Sequence, residues 1–152
     1  MRILFVCTGN ICRSPCAKVI MEHICKDDSL FEIDSCATTS YHVGEQADSR
    51  MRALVKKHGL DLDEHRVKAF DLSFFEKFDL LVCMDESHYY TLAMKASKKQ
   101  MEQIVYLRQY DTNPDSLNVG DPYYDNSFEQ VYEIIERCCY NLYAVLKKEQ
   151  EE

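Results

Sequence analysis

Short apolar runs divide the chain into a series of predicted strands. Residues 3–7 and 80–84 are uninterrupted apolar runs, which is typical of strands buried on both faces of a parallel sheet. Each run is far shorter than the ~20 apolar residues that a membrane-spanning helix needs. β-branched and aromatic residues indicate two further strands. The four predicted strands cover residues 2–7, 31–37, 80–84 and 103–107.

Amphipathic stretches lie between and after these strands and predict helices. Ala17, Ile20, Met21 and Ile24 recur near helical spacing, and a longer apolar stripe near the end of the chain predicts the longest helix. Asn, Pro, Gly and Asp are concentrated between the fourth strand and that last helix, which predicts a long loop over residues 111–125. The predicted helices cover residues 14–25, 48–58, 85–95 and 127–148.

The alternation of strands and helices predicts an α/β fold. Strand–helix–strand units are right-handed and build a parallel sheet, so we expect a single domain over residues 1–152. A chain of this length buries a core without needing covalent cross-links. Because ligands of such sheets bind at the carboxyl ends of the strands, the candidate site regions are the segments after Cys7, Ala37 and Met84 and the long loop.

Composition and charge narrow the classes of partner. The 18 basic and 26 acidic residues give a formal charge of −8, with no extended basic run. We therefore expect neither nucleic acid nor an anionic membrane surface as a partner. Thr8-Gly9-Asn10 and Arg13 interrupt the N-terminal apolar run, which argues against a secretory signal. With eight cysteines and no such signal, we expect a cytoplasmic protein whose thiols are free and mostly buried.

The loop after the first strand combines a thiol with groups that bind anions. It reads Cys7-Thr8-Gly9-Asn10-Ile11-Cys12-Arg13-Ser14 and leads from a predicted strand into a predicted helix. Such a loop can turn successive N–H groups inward, and the helix adds its free N–H groups and its positive end. Gly9 and Asn10 tolerate the left-handed backbone of a tight loop. The Arg13 guanidinium can bind two phosphate oxygens at once.

The same positive groups favour the thiolate form of a cysteine placed among them. Cys7 would then be a nucleophile beside a cradle for a tetrahedral oxyanion, and the Ser14 hydroxyl would stabilise the sulfur when it leaves. Two other interpretations stay open at this point. In one, Cys7 simply ends a buried strand. In the other, Cys7, Cys12 and Cys16 bind zinc or an iron–sulfur cluster, but their spacing matches no common site and we expect no metal.

A candidate proton donor lies in the long loop, in the segment Asp121-Pro122-Tyr123-Tyr124. Cleavage of a phosphate ester requires a proton for the leaving oxygen, and Asp121 can supply it. Pro122 stiffens the backbone beside this carboxyl group, and the two tyrosine rings can stack on an aryl leaving group. The alternative interpretation is an ordinary Asp-Pro turn with surface tyrosines.

The two loops together resemble the signature loop and the acid loop of the low-molecular-weight protein tyrosine phosphatase family. The likeness covers nearly the whole chain, because segments between the loops resemble the family as well. Those segments are Asp34-Ser35 with Tyr41, Lys57-His58-Gly59 with His65, and Cys83-Met84-Asp85-Glu86-Ser87. The resemblance implies a four-stranded parallel sheet with helices on both faces and a phosphate-binding loop after the first strand. It implies no metal and no organic cofactor.

The resemblance also implies a role for each matching residue. Cys7 would become a phosphocysteine, Arg13 would bind the phosphoryl group, and Asp121 would act as general acid and then as general base. Asp85 would orient Arg13. The remaining residues would bind phosphoryl oxygens through backbone N–H groups (Thr8, Gly9, Asn10, Ile11, Cys12, Ser14), hold the loop in shape (Asn10, Ser14, Ser35, His65) or form the substrate cleft (Tyr41, Tyr123, Tyr124).

The expected substrates are phosphotyrosine-containing proteins or small aryl phosphates, and inorganic phosphate is the expected product. The expected oligomeric state is a monomer or weak dimer.

Two other functions were considered for this sequence. A thiol-linked arsenate reductase shares this fold and anion loop. It would need a relay cysteine about seven positions after Cys83, where this chain has Tyr90. An inactive phosphotyrosine-binding module would be expected to lack Cys7, Arg13 or Asp121, and all three are present.

Cys12 lies on the same small loop as Cys7 and suggests a redox function. Under peroxide, a sulfenic acid at Cys7 could condense with the Cys12 thiol to a disulfide, which would protect the nucleophile from irreversible oxidation. The alternative is that Cys12 is a thiol that only lines the loop.

Overall fold

The computed structural model describes residues 1–151, and its sheet has four parallel strands. These are β1 (Arg2–Cys7), β2 (Glu32–Ala37), β3 (Leu80–Cys83) and β4 (Ile104–Tyr106). Their order across the sheet is β2-β1-β3-β4, so β1 is central and pairs with β2 along its whole length, from Arg2 opposite Glu32 to Cys7 opposite Ala37. The predicted α/β fold and all four predicted strands are confirmed. β4 is shorter than predicted because the chain turns into a 3₁₀ helix at Leu107.

Six α-helices connect and flank these strands within residues 1–151. They are α1 (Arg13–Ile24), α2 (Ser49–Lys57), α3 (Phe74–Lys77), α4 (Glu86–Ala93), α5 (Pro122–Asp125) and α6 (Phe128–Glu151). The four predicted helices are confirmed, with ends that differ by a few residues. Asp48 caps α2 by accepting the Arg50 N–H, and Gly59 follows its end at a φ of 81°. That backbone angle favours glycine, which explains why the helix stops there.

Two short helices were not predicted. α5 occupies the end of the segment 111–125, so the prediction of a continuous loop there is wrong. Asp121 accepts the Tyr123 N–H and Pro122 takes the first helical position, where its missing N–H costs nothing. α3 arises in the same way after Asp71, whose carboxylate accepts the Ser73 N–H. Both helices are single turns, which are too short for hydrophobic periodicity to reveal them.

Helices cover both faces of the sheet, as expected. Alternate residues of β1 point to opposite faces, as they must in a strand. Ile3 and Phe5 join a core that includes residues of α1, α2 and α6. Leu4 and Val6 join a second core on the other face, with Phe75 from α3 among its members. Within residues 1–151, no helix combines the length and apolar character that crossing a membrane requires.

Backbone hydrogen bonds join the loops at the carboxyl ends of the strands. The Ile11 carbonyl accepts the Asp48 N–H at 2.9 Å, which links the loop after β1 to the start of α2. The Met84 carbonyl accepts the Val119 N–H at 2.7 Å, which brings the long loop back to the end of β3. As a result, segments far apart in sequence surround the end of β1, where Cys7 lies.

The packing of α6 on the sheet yields a prediction for stability. Ile135 is fully buried in the core between α6 and α1. We expect Ile135→Ala to lower the free energy of unfolding by about 2–5 kcal/mol, because it removes buried apolar surface and leaves a cavity. Glu133 lies on the exposed side of the same helix, and Glu133→Ala is the matched control with an expected change below about 0.5 kcal/mol. Urea unfolding measures both, and equal stability of the two variants would contradict the assigned core.

Candidate active site

The sulfur of Cys7 lies at the end of β1, where hydrogen-bond donors converge on it. The N–H of Asn10 donates to Sγ at 3.3 Å and the N–H of Ser14 at 3.4 Å. The Ser14 hydroxyl lies 2.9 Å from the sulfur. This hydroxyl accepts a hydrogen bond from the Asn10 side chain at 2.8 Å, and its own hydrogen can point at the sulfur, which lies nearer than its other acceptor, the Cys36 carbonyl oxygen at 3.5 Å. Cys7 is only 2% exposed, so these donors take the place of water around the sulfur.

Asn10 fixes the shape of the loop. It adopts the left-handed backbone conformation with a φ of 57°, which asparagine tolerates better than most residues. Its side-chain amide donates to Ser14 and, at 2.9 Å, to the hydroxyl of Ser35 on β2. Its backbone carbonyl lies 2.8 Å from Nε2 of His65. Burial lowers the pKa of His65. The four residues predicted to shape the loop are therefore joined in one hydrogen-bond network.

Arg13 is a nearly buried guanidinium that contacts two carboxylates from different parts of the chain. One nitrogen, NH1, donates to Asp85 at 2.7 Å and to the carbonyl of Val119 at 2.9 Å. The other, NH2, lies 3.4 Å from a carboxylate oxygen of Asp121. Burial opposes the charge of Arg13, but the facing Cys7 sulfur and the two carboxylates raise its pKa. Burial likewise opposes ionisation of Asp85, whereas hydrogen bonds from Ser87 and Arg13 lower its pKa overall.

Aromatic side chains form the walls of a cleft that leads down to Cys7. Tyr41 and Tyr124 are each 82% exposed and Tyr123 is 45% exposed, so their rings border open solvent. Tyr123 and Tyr124 pack edge to face with ring centroids 5.2 Å apart. The cleft is lined by Cys7, Thr8, Gly9, Ile11, Cys12, Arg13, Thr39, Tyr41, His42, Asp121, Tyr123 and Tyr124.

The amino-acid sequence matches a known enzyme family along almost the whole chain. The model of the low molecular weight phosphotyrosine protein phosphatase family matches residues 2–152. The chain belongs to this family. A phosphatase of this name from Gallus gallus is 39% identical over 144 residues, with 90% of each chain covered. The low molecular weight protein-tyrosine-phosphatase of Streptomyces coelicolor is 37% identical over 158 residues, covering 99% of this chain and 96% of the relative.

Solved structures agree with this assignment. The crystal structure of a protein tyrosine phosphatase from Entamoeba histolytica superposes with a TM-score of 0.92 at 36% identity, covering 99% of both chains. The fold of this phosphatase is thus that of its family.

The structure was also searched for a possible metal site. Within residues 1–151, no group of three or more His, Cys, Asp or Glu side chains is placed to hold a metal ion. Cys7, Cys12 and Cys16 are free thiols.

Two side chains near the site of this phosphatase were not predicted from its sequence. His88 is fully buried beside Arg13 and Thr8. Its position three residues after the helix-capping Asp85 is a signal that could have identified it, because that position completes a capping box. Arg50 donates to Asp48 and, at 2.7 Å, to the side chain of Asn126 next to α5. No local pattern indicates that Arg50 reaches the acid loop, since the contact depends on tertiary structure.

His88 gives the stability of this phosphatase a specific pH dependence. Burial, reinforced by the Arg13 charge, lowers the pKa of His88 to about 4 from an ordinary value of 6.5. The unfolded chain therefore binds a proton at a pH where the folded chain does not, and stability falls as the pH drops from about 6.5 towards 4. Between pH 7.5 and pH 5, we expect the wild type to lose about 1–2 kcal/mol more unfolding free energy than His88→Gln does.

Urea unfolding at the two pH values measures this difference. His23→Gln is the matched control at an exposed histidine, and its loss should equal that of the wild type. An identical loss in the wild type and His88→Gln would contradict a buried neutral His88.

Proposed function

We propose that this phosphatase hydrolyses phosphotyrosine and other aryl phosphates through a phosphocysteine intermediate on Cys7. The observation that carries the proposal is the convergence of three hydrogen-bond donors on the Cys7 sulfur at the bottom of a cleft that also contains Arg13 and Asp121. These donors stabilise the thiolate, which is the nucleophilic form of cysteine.

In the first step, the Cys7 thiolate attacks phosphorus and the bond from phosphorus to the tyrosine oxygen breaks. Arg13 and the backbone N–H groups of residues 8–14 bind the phosphoryl oxygens, whose charge they neutralise. Asp121 gives its proton to the tyrosine oxygen, so that a neutral phenol leaves. The 3.4 Å contact between Asp121 and Arg13 supports this role, because it places the carboxyl group next to the group that binds the phosphate.

In the second step, a water molecule attacks the phosphocysteine. Asp121, now ionised, takes a proton from that water, and the sulfur–phosphorus bond breaks to release inorganic phosphate. The sulfur leaves as a thiolate, which the Ser14 hydroxyl stabilises at 2.9 Å. The same acid–base residue thus serves both steps, and the enzyme returns to its starting protonation state.

The walls of the cleft support an aryl substrate. Tyr41 and Tyr123 present ring surfaces on which a phenyl ring can stack, with Tyr124 beside them. We propose that the substrates are phosphotyrosine-containing proteins or small aryl phosphates. We propose that the enzyme acts as a monomer or weak dimer. The eight free cysteines suit a reducing compartment, and we propose the cytoplasm.

Two substitutions test the assigned roles. Cys7→Ser should abolish turnover of p-nitrophenyl phosphate, because a serine hydroxyl is a much weaker acid and nucleophile than a thiol. Asp121→Ala should slow hydrolysis by about 10²–10⁴-fold for phenyl phosphate and far less for p-nitrophenyl phosphate, whose leaving group needs no proton. Steady-state kinetics with both substrates measure the effects. Normal turnover by Cys7→Ser would refute the nucleophile, and an equal loss with both substrates would refute the acid.

We propose that Cys12 protects Cys7 from irreversible oxidation. It is buried at the bottom of the same cleft, and burial followed by the charge of Asp48 raises its pKa, so it stays a thiol. Hydrogen peroxide would oxidise Cys7 to a sulfenic acid, which condenses with the Cys12 thiol and releases water. Cys12→Ser should retain turnover but lose the recovery that dithiothreitol gives the wild type after peroxide.

Cys16→Ser is the matched control for this experiment, because Cys16 is buried in the core and does not line the cleft. It should recover as the wild type does. Equal recovery of Cys12→Ser and the wild type would contradict the disulfide.

A further inference from the structure

His88 and Thr8 form a pair that the mechanism above does not use. His88 lies fully buried at the start of α4, whereas Thr8 is exposed on the wall of the cleft, next to the nucleophile. The hydroxyl oxygen of Thr8 lies 2.8 Å from Nε2 of His88. The buried ring therefore makes direct contact with the surface that faces the substrate.

The surroundings of His88 determine which ring nitrogen carries the proton. The backbone N–H of Asp85 donates to Nδ1 at 3.1 Å, and a backbone amide can act only as a donor. Oδ1 of Asp85 also lies 3.4 Å from Nδ1, but the amide N–H is nearer, so Nδ1 is the unprotonated nitrogen and the neutral ring carries its proton on Nε2. It follows that Nε2–H donates to the Thr8 hydroxyl. Arg13 NH2, 3.4 Å from Nε2, is itself a donor and does not compete for this proton.

Because the Thr8 oxygen accepts from His88, the hydroxyl hydrogen must point elsewhere. Within residues 1–151, this hydroxyl has no other hydrogen-bond partner than His88. The backbone of Thr8 is held independently, since its carbonyl accepts the N–H of Thr39 at 3.2 Å and the Thr39 hydroxyl at 3.0 Å. The side chain thus offers a free donor from a fixed backbone.

The pair of Thr8 and His88 lies next to the guanidinium of Arg13, which also lines the cleft. Nε2 of His88 and a carboxylate oxygen of Asp121 each lie 3.4 Å from the same nitrogen of Arg13. The Thr8 hydroxyl, one hydrogen bond away from Nε2, is therefore close to the Arg13 guanidinium. An anion bound by Arg13 would therefore bring an acceptor close to this hydroxyl.

We propose that the Thr8 hydroxyl donates a hydrogen bond to an oxygen of the bound phosphoryl group and that His88 is the positioning residue that orients it. The proposal rests on the proposed function, because it assumes that the cleft binds a phosphate ester. Thr8 adds a side-chain donor to the backbone donors of the loop, and the buried imidazole keeps that donor from rotating away.

A set of four variants tests the pair. Thr8→Val removes the hydroxyl and keeps the shape. His88→Asn keeps a polar group near the position of Nδ1, where it can still accept from Asp85, but is too short to reach Thr8. His88→Gln places an amide N–H near the position of Nε2. Thr8→Ser retains the donor. Each variant is assayed for kcat/KM with p-nitrophenyl phosphate and for the inhibition constant of inorganic phosphate.

Thr8→Val and His88→Asn should each raise the phosphate inhibition constant and lower kcat/KM by about 10- to 100-fold, as expected for loss of a hydrogen bond to a charged group. Thr8→Ser and His88→Gln should stay within about threefold of the wild type. In a His88→Asn background, the effect of Thr8→Val should shrink to less than about twofold, because both changes remove the same hydrogen bond.

The outcomes separate this proposal from the proposed function. An unchanged phosphate inhibition constant in Thr8→Val would overturn the contact with the phosphoryl group, even if Cys7→Ser is inactive as proposed. An undiminished effect of Thr8→Val in the His88→Asn background would overturn the role of His88. Circular dichroism and melting of each variant show whether it is folded. If His88→Asn does not fold, the comparison of Thr8→Val with Thr8→Ser still decides whether the hydroxyl binds phosphate.

Discussion

The hydrogen bonds that surround the Cys7 sulfur are the interaction on which the site depends. A thiolate in a nearly buried position is costly unless donors solvate it, and here the loop supplies two backbone N–H groups and one hydroxyl. Those donors converge only because Asn10 takes a left-handed backbone conformation and its side chain is held by Ser14 and Ser35. The loop is thus preorganised by contacts to β2, which pairs with β1 along its whole length.

Arg13 extends this organisation to the rest of the molecule. It begins α1, and its guanidinium contacts Asp85 at the start of α4 and both Val119 and Asp121 on the long loop. A protein with a formal charge of −8 binds an anion unfavourably on average, so the positive charge must be concentrated where the phosphate lies. The buried guanidinium of Arg13 places a positive charge beside the sulfur, and the carboxylates around the guanidinium fix its orientation.

The sequence was sufficient to predict the strands, the long helices and the phosphate-binding loop, because each depends on a local pattern. The uninterrupted apolar run of β1, followed within six residues by Gly9, Asn10 and Arg13, indicates both a buried strand and an anion-binding turn. The residues of the loop-shaping network, with Ser35 and His65, were predicted through resemblance to a family. Both contact Asn10 in the structure, Ser35 through its hydroxyl and His65 through Nε2.

The features that the sequence analysis missed depend on tertiary contacts or on very short elements. α3 and α5 are single turns set by Asp71 and Asp121, and four residues do not establish a periodicity. The role of His88 depends on the distance from its ring to Thr8, 80 positions away along the chain. Arg50 reaches Asn126 only because the start of α2 and the end of α5 meet at the cleft.

The central claim is that the Cys7 sulfur captures the phosphoryl group, and a quenched turnover experiment tests it most directly. The substrate is p-nitrophenyl phosphate, whose good leaving group allows rapid formation of the intermediate, and the enzyme is Asp121→Ala, which hydrolyses that intermediate slowly. Mass spectrometry of the quenched enzyme should show one added phosphoryl group, located on Cys7. Phosphorylation of a different residue, or steady release of p-nitrophenol with no phosphorylated enzyme at any time, would contradict the account.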